Sequence, residues 1–545
     1  MKRIEKFLGT RAGSFALFFC CWIGVFAFYF PAQGAMLIDD GVSGIYEWQT
    51  KGLRGFLSSF GFDSFYHGHY AFMGLFYLLF GTNSLGWFIV FTGLHALITT
   101  LIFNVFAKLY SALGNTENNT WIGLSGAILF LCSSYQSENI VWAATSHYAI
   151  TLLILLLSLS YLLDEMQGQS ASMSLLVFHG IFAWALLTLE ISFLFPLVYF
   201  IIYVALLIAR NQSMKIGHYL LRILLPQVVF IGVYMVLHKW CFGIWLPHDR
   251  APLDAVVSWP QMFTTLTQQL VKLFGFVHYL DFPKRDWIYN ACTHWKKGAL
   301  VVGVLWLLLS VWMYRKGYEK ILTTWLLLLL GLLMYAPFLR LYFMYIARME
   351  NDRYSYFASV ILFQLLVFVL FQTLRWLRLV VIGVYLCLFC GFTWQNISAR
   401  ANSAAMHQQF LNKFPEQISH DLYVLNVPVS CQDAYLFRTR IRIPIAYRAY
   451  FGKALAFEPY QVAFYNAQGI DDSFEVKKIN DSALHVQLKT NGSWWMNEGL
   501  GATPYSTPQY EFVPDESGGY MVTFKQPISD LKIYLFEKNR FRAIR

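Results

Sequence analysis

Residues 15–40, FALFFCCWIGVFAFYFPAQGAMLIDD, decide the fold class: an apolar run leads directly to two acids, Asp39 and Asp40. Four basic residues precede the run: Lys2, Arg3, Lys6 and Arg11. Such a segment is typical of a membrane-spanning helix, and because more apolar runs follow, we expect a retained span rather than a cleaved signal peptide. A carboxylate in hydrocarbon costs about 2.5–3.5 kcal/mol or more. Two acids immediately outside a span are therefore candidates for a function at the lipid–water boundary.

The overall composition excludes an ordinary soluble protein. The chain has 545 residues, of which 57% are hydrophobic and 13% charged, and its mean hydropathy is +0.47. Soluble domains carry about 25% charged residues. The net charge of +10 comes from Lys and Arg scattered over loops without a dense basic tract. We therefore expect membrane lipid, and no nucleic acid, as a partner.

Hydropathy predicts a polytopic α-helical membrane protein with about eleven transmembrane helices. The apolar segments are 14–32, 84–107, 120–135, 146–163, 173–189, 191–210, 218–238, 298–314, 321–338, 356–372 and 379–394. With the N-terminus inside, the predicted inside loops carry eight basic residues: Lys108, Arg210, Lys215, Arg315, Lys316, Lys320, Arg375 and Arg378. One inside loop, with Asp164 and Glu165, goes against the positive-inside rule, and the topology places everything after residue 395 outside. The stretch 70–80 is too short to cross and reads as an interfacial helix.

The character of the chain changes after the last span. We expect a membrane domain over 1–395 and a β-rich extracytoplasmic domain over 396–545, beginning with a polar helix over 396–418. The predicted strands are Leu422–Val427, Tyr435–Ile443, Tyr460–Tyr465, Leu484–Leu488, Tyr520–Phe524 and Leu531–Phe536. Trp494 and Trp495 either present flat faces on which sugars stack, or fill the core of this domain or anchor it to lipid.

Three acids are candidate catalytic groups. Asp39 and Asp40 are placed for a general base at the membrane surface, although Asp-Asp-Gly is also a common turn sequence. Glu138 lies in the loop between the third and fourth spans, on the same predicted side. The alternative for Glu138 is a solvated loop residue.

Three histidines are candidate substrate-binding groups. His67 and His69 precede the predicted interfacial helix, and His147 opens the fourth span. Imidazoles there could hydrogen-bond a phosphate or a sugar, or belong to an interfacial aromatic belt. Two histidines alone are a weak signal for a metal site.

A further group of candidate substrate-binding residues lies at the outer end of the tenth span. It comprises Arg340, Arg348, Arg353 and Tyr354. A guanidinium matches a phosphate with two parallel hydrogen bonds. The acids beside these arginines in the sequence are the alternative partners, which would make the group a structural ion-pair cluster.

Together these motifs resemble the GT-C superfamily of polytopic glycosyltransferases, and most closely its O-mannosyltransferase-like branch with its bacterial relatives, including those of the Bacteroidota. The matching segments are LIDDG at 37–41, HGHY at 67–70, LFGTN at 79–83, LH at 94–95, YQSENIVW at 135–142 and NDRYSY at 351–356. The first of these corresponds to the family's acidic pair after span one. The family's Tyr-Arg-Pro patch appears here without its arginine, with His69 nearby.

The resemblance implies a GT-C fold, a polyprenyl-phosphate sugar donor, and an acceptor hydroxyl on a glycan, lipid or protein. By that likeness Asp39 or Asp40 deprotonates the acceptor, the anomeric carbon is inverted, and Arg353 or His69 stabilises the leaving phosphate. Some family members use a divalent cation (Mg or Mn) and others none. The implied location is a bacterial inner membrane, with the active site facing the periplasm.

Two other functions remain open at this point. One is an oligosaccharyltransferase that acts on protein, and the other is a lipid or glycan transporter. Transporters place charged groups near the middle of the membrane on broken helices. Because Asp39, Asp40, Glu138 and Arg353 are all predicted at one outer surface, the pattern favours chemistry at that surface.

Overall fold

The computed structural model describes residues 2–38, 40–57, 65–115, 117–167, 174–210, 216–245, 258–341, 343, 349, 352–414, 422–437, 442–455, 458–490, 492–494, 503–515 and 518–544. This part of the chain is mostly helical, and β-strands are confined to its C-terminal region. Asp39 and Arg348 lie outside the described residues, as does the side chain of Asp40.

The helices are numbered in chain order. They are α1 (Lys2–Leu8), α2 (Arg11–Tyr29), α3 (Asp40–Leu57), α4 (His67–Phe80), α5 (Ser84–Ala112), α6 (Asn119–Cys132), α7 (Ser137–Val141), α8 (Ser146–Met166), α9 (Leu175–Leu186), α10 (Phe195–Arg210), α11 (Ile216–Tyr219), α12 (Leu225–Phe242), α13 (Trp259–Gly275), α14 (Phe282–Ala291), α15 (Trp295–Lys316), α16 (Tyr318–Tyr335), α17 (Tyr356–Phe371), α18 (Arg375–Asn412) and α19 (Arg442–Phe451). Short 3-10 segments join several of them, including Phe30–Leu37, Ser134–Gln136 and Asp352–Ser355.

Every apolar segment predicted from the sequence coincides with a helix. Among the described residues, eight helical stretches are long and apolar enough to cross a membrane: Arg11–Leu37, Ser84–Ala112, Ala143–Met166, Glu190–Arg210, Leu220–Phe242, Tyr318–Phe338, Asp352–Phe371 and Arg375–Asn412. Two more predicted segments form the shorter apolar helices α6 and α9, and the eleventh lies in α15. The architecture is consistent with a multi-pass membrane protein.

Helix α2, which forms the first predicted span, lies antiparallel to α5. Ser14 near the start of α2 donates to Asn104 Oδ1 at 3.3 Å, near the end of α5. Trp22 Nε1 donates to Thr92 Oγ1 at 3.3 Å, so the pairing runs in opposite directions along the two helices. Because α5 also packs against α6 and α8, it lies inside the helical bundle.

The C-terminal region contains three small sheets. Their strands are β1 (Leu422–Val424), β2 (Val427–Cys431), β3 (Ala434–Tyr435), β4 (Tyr460–Gln461), β5 (Phe464–Ala467), β6 (Phe474–Lys478), β7 (Ala483–Leu488), β8 (Ser493–Trp494), β9 (Tyr505–Ser506), β10 (Tyr510–Pro514), β11 (Gly519–Phe524), β12 (Lys532–Glu537) and β13 (Arg540–Ile544). The strand orders are β13-β12-β1-β4, β6-β7-β11-β10-β9 and β3-β2-β5-β8. The five-stranded sheet is antiparallel throughout, whereas the other two are mixed.

The predicted strand at Tyr435–Ile443 is wrong. Only Tyr435 of the described part belongs to a strand, and Ile443 lies in α19. The reason is the burial pattern: Ile443, Ala446 and Tyr447 are buried at helical spacing, so a helix presents all three to the core. The later predictions agree better, because β7 and β11 cover the expected strands at 484–488 and 520–524, and β12 covers all but the first residue of the one at 531–536.

The C-terminal region is packed onto the end of the first span. A single 38-residue helix, α18, runs without interruption through residue 395 and past the predicted domain boundary. Leu37 and Val42 belong to one buried apolar cluster together with Leu422 and Val462. Gln49 of α3 also donates to a carbonyl of α19 at 3.1 Å. The β-rich region therefore lies at the same end of the bundle as the Asp39–Asp40 segment.

Trp494 lies against the rings of Tyr465, Phe474 and Tyr520, with centroids 5.0–6.0 Å away. Its indole N–H donates to Gly518 at 2.9 Å. These contacts support the core-filling role over the sugar-stacking one. Trp495 lies outside the described residues.

Candidate active site

The backbone around the acidic pair is held from both sides. Met36, Leu37 and Ile38 are buried, and helix α3 begins at Asp40. Trp142 Nε1 donates to the Ile38 carbonyl at 3.2 Å, so the residue preceding Asp39 contacts the segment that carries Glu138. The proximity of the two acidic side chains to Glu138 stays a prediction.

Glu138 is not a solvated loop residue. Its side chain is 2% exposed, and its Oε1 atom accepts from Arg353 Nη1 at 2.6 Å. Its Oε2 atom accepts from the backbone N–H of Arg353 at 2.9 Å. Both carboxylate oxygens therefore bind the same residue, and charge-assisted bonds of this kind are stronger than neutral ones. Glu138 fixes the position of Arg353 rather than standing free as a base.

The Arg353 side chain is held among aromatic rings. Its guanidinium carbon lies 5.9 Å from the Trp142 ring centroid and 5.1 Å from that of Tyr354. The side chain keeps 17% of its surface exposed, whereas Glu138 is almost fully covered. A guanidinium has five N–H donors, so the contact with Glu138 leaves capacity for an anion on the exposed side.

A second ion pair lies deeper. Lys272 Nζ is 2.7 Å from Asp352 Oδ1, and the two side chains are 0% and 1% exposed. Tyr135 donates its hydroxyl hydrogen to the Lys272 carbonyl. Burial lowers the pKa of Lys272 below its ordinary value, and the Asp352 carboxylate raises it in part. Because Asp352 directly precedes Arg353, this pair anchors the segment that presents the guanidinium.

A third buried cation completes the cluster. Arg400 of α18 is 2% exposed, and its guanidinium carbon lies 5.6 Å from the Trp142 ring centroid. Trp142 thus contacts two guanidinium groups, an arrangement stabilised by cation–π attraction. Within the described part of the chain, Arg353 pairs with Glu138 and Lys272 pairs with Asp352, and Asp352 also interacts electrostatically with Arg400.

The predicted histidines form a neighbouring polar cluster. His69 Nδ1 lies 3.1 Å from Ser146 Oγ, and the His69 ring centroid is 5.0 Å from that of His147. Tyr66 donates to Glu190 Oε2 at 3.3 Å and lies 6.1 Å from His147 by ring centroids. Burial lowers the pKa of His69 to about 4, so its imidazole is neutral at pH 7.

His67 is half-buried, and burial lowers its pKa as well. Between the two histidines, Gly68 packs closely against α9. A Cβ atom there would lie 2.3 Å from Thr188 Oγ1 and 2.6 Å from the Trp184 ring. Only glycine fits this position without a shift, which explains why a small residue separates His67 and His69.

The histidine cluster and the ion-pair cluster adjoin. Tyr148, next to His147 in the chain, interacts electrostatically with Glu138, Arg353 and Glu190. The structure therefore gathers His69, His147, Glu138, Arg353 and Tyr354 around one region.

The structure places neither Arg340 nor Arg348, the two remaining predicted arginines, in this cluster. Arg340 is described and exposed at the end of the segment after α16, and Arg348 lies outside the described residues. Sequence reasoning overlooked Lys272 and Arg400 as members of the site. The sequence held one indication of Lys272, because it is the only charged residue (Asp, Glu, Lys or Arg) in the 17 residues of α13.

No group of three or more His, Cys, Asp and Glu that could hold a metal ion occurs within the ranges covered by the structure. The side chains of Asp39 and Asp40 lie outside those ranges. The cation therefore stays a prediction.

Comparison with protein-family models and with curated proteins found no match to this chain.

Proposed function

We propose that the protein is an integral-membrane glycosyltransferase of the GT-C type, with about eleven transmembrane helices. It transfers a sugar from a polyprenyl-phosphate donor to an acceptor hydroxyl on a glycan, lipid or protein, with inversion. Its membrane is the bacterial inner membrane and its active site faces the periplasm. The observation that carries the proposal is the buried cation-rich cluster next to the segment bearing Asp39 and Asp40.

The charge of the cluster suits the leaving group of this reaction. Three cations, Lys272, Arg353 and Arg400, lie in one cluster with Glu138 and Asp352. A lipid phosphate gains negative charge as its bond to the anomeric carbon breaks, and a fixed cation in a low-dielectric site stabilises such charge. Arg353 is the cation of the three with exposed side-chain surface, so we assign it to the phosphate.

The acids supply the base in this proposal. Asp39 or Asp40 takes the proton of the acceptor hydroxyl, and the oxygen attacks the anomeric carbon from the face opposite the phosphate. The carbon–oxygen bond to the phosphate breaks, and its electron pair leaves with the lipid phosphate. The neutral His69 imidazole, with Ser146 as its partner at 3.1 Å, offers a hydrogen bond to the phosphate or sugar.

The test uses the full-length protein in lipid nanodiscs with defined polyprenyl-phosphate sugars, and it measures release of polyprenyl phosphate together with sugar transfer. General-base catalysis contributes about 10²–10⁴-fold, so Asp39→Asn or Asp40→Asn should reduce turnover by that factor. Arg353→Ala should raise the donor KM more than about tenfold, because a hydrogen bond to a charged group contributes about 1.5–3 kcal/mol.

The matched control is Asp281→Asn. Asp281 pairs with Lys284 at 3.2 Å, and the two side chains are 80% and 70% exposed. Wild-type turnover by both Asp39→Asn and Asp40→Asn would refute the assignment of the base. The transporter alternative is tested with the same protein in sealed liposomes, where movement of intact donor to the other leaflet without cleavage would indicate a transporter.

A further inference from the structure

A cavity of about 780 Å³ lies between α2 and α5, at the opposite end of the bundle from the candidate active site. Its lining begins at Gly9 and Arg11, at the start of α2. Ile38, whose carbonyl accepts from Trp142 of the active-site cluster, follows Arg11 by 27 residues. At 1.5 Å per helical residue, Arg11 and Ile38 are roughly 40 Å apart. A volume of this size lies within the range of about 300–1,000 Å³ that is common for ligand sites.

One end of the cavity is polar and cationic. Arg11 is exposed at the first position of α2. Lys108 of α5 lies nearby in the lining, with its Nζ atom 2.7 Å from Asp164 and 3.3 Å from Ser160. Two cations and one carboxylate leave a surplus positive charge among these groups, and α1 adds Arg3 and Lys6 against Glu5.

The rest of the cavity is apolar and open to the bilayer. Its wall is formed by Phe15, Phe18, Leu94, Leu97 and Leu101. Phe15 is 66% exposed and Leu97 is 39% exposed, so neither is covered by protein. A ligand with an anionic head and an apolar tail can therefore enter sideways from the membrane.

We propose that this groove binds one anionic glycerophospholipid of the cytoplasmic leaflet. Its phosphate contacts Arg11 and Lys108, and one acyl chain lies along Phe15, Leu94 and Leu97. The leaflet follows from the excess of basic residues at this end of the helices. Anionic lipid is favoured over zwitterionic lipid because each juxtamembrane cation adds about 1 kcal/mol of attraction, which corresponds to about a fivefold preference.

The experiment is native mass spectrometry of the full-length protein released from nanodiscs of equimolar phosphatidylglycerol and phosphatidylcholine. Wild type should retain phosphatidylglycerol with about a fivefold or greater preference. Arg11→Gln should reduce that preference about fivefold, whereas Lys316→Gln, at the end of α15 and outside the cavity lining, should leave it unchanged. Leu97→Trp should reduce retention of both lipids, because the new ring fills the acyl part of the groove.

Equal retention of the two lipids by wild type would overturn the proposal. So would an equal loss of preference in Arg11→Gln and Lys316→Gln, because that pattern indicates a general surface potential rather than this groove. Recovery of a polyprenyl phosphate in place of phosphatidylglycerol would assign the groove to another occupant. None of these outcomes depends on glycosyl transfer, so the lipid site and the proposed function are tested separately.

Discussion

The buried Lys272–Asp352 pair should be the most sensitive point of the helical bundle. Its two side chains have exposures of 0% and 1%, and its atoms are 2.7 Å apart. Lys272→Met keeps most of the apolar stem but leaves the Asp352 carboxylate buried without its ammonium partner. Removing one member of a buried ion pair typically costs about 3–5 kcal/mol of unfolding free energy.

The structure places the expected value at the lower end of that range. Arg400 also interacts electrostatically with Asp352 and lowers the energy of a lone carboxylate. We therefore expect Lys272→Met to reduce the unfolding free energy by about 3 kcal/mol. In the double variant Lys272→Met/Asp352→Leu neither member of the pair is left buried without the other, so part of the loss should be regained.

The assay is detergent-induced unfolding of the purified full-length protein, followed by tryptophan fluorescence, for wild type, both single variants and the double variant. Lys284→Met is the control, because its pair with Asp281 is exposed. Exposed pairs contribute about 0–1 kcal/mol. The reasoning is refuted if Lys272→Met costs no more than Lys284→Met, or if the two single effects simply add in the double variant.

Three further predictions concern other parts of the molecule. Glu138→Gln keeps the shape but removes the charge that binds Arg353 at 2.6 Å, so the unfolding free energy should fall by about 1.5–3 kcal/mol in the same assay. His69 has a pKa of about 4 in the folded protein and about 6.5 in the unfolded chain, so between these values the unfolded chain binds more protons. The unfolding free energy should therefore fall as the pH drops from about 6.5 to about 4. His69→Asn should weaken that dependence when unfolding midpoints are compared across this window. In Gly126→Ala the added methyl would lie 2.4–2.6 Å from the Gln364 amide atoms, so overpacking should cost about 1–3 kcal/mol of unfolding free energy.

Each of these predictions has a contradicting result. A Glu138→Gln protein as stable as wild type would show that the charge does not hold the arginine. An unchanged pH dependence in His69→Asn would assign the proton to another group. Gly180 of α9 is the control for Gly126, because no atom lies within 4 Å of an added Cβ there and alanine favours helix by up to about 1 kcal/mol. Equal effects at the two glycines would contradict the packing argument.

Hydropathy was sufficient to locate the apolar helices, because a segment in hydrocarbon must satisfy its backbone hydrogen bonds internally and therefore forms a helix locally. The failure at 435–443 has the opposite cause. Ile443 and its neighbours are β-prone by composition, but their burial against the rest of the chain follows helical spacing. Tertiary packing decided that element, and no local pattern reports it.

In the candidate active site, too, the sequence identified individual residues but not the contacts between residues that are far apart in the chain. Sequence motifs brought Glu138 and Arg353 to attention separately, but the two residues are 215 positions apart, and their direct pairing was not foreseen. The expected partner of Arg353 was a phosphate, and the alternative partners were its acidic neighbours in the chain. Asp352, one of those neighbours, instead binds Lys272 from α13. Ion-pair partners are chosen by the fold, so single-sequence reasoning names the participants more readily than the pairs.

The shared core between the first span and the C-terminal region has a consequence for biosynthesis. Gln49 bonds to Ala449, 400 residues later in the chain. At about 5–20 residues synthesised per second, the segment after the first span waits roughly 20–80 seconds for its partner. During that interval the apolar surface of Leu37 and Val42, which the finished protein buries, has no β-rich region to cover it. Newly made chains should therefore depend on a chaperone or on the membrane interface itself until translation is complete.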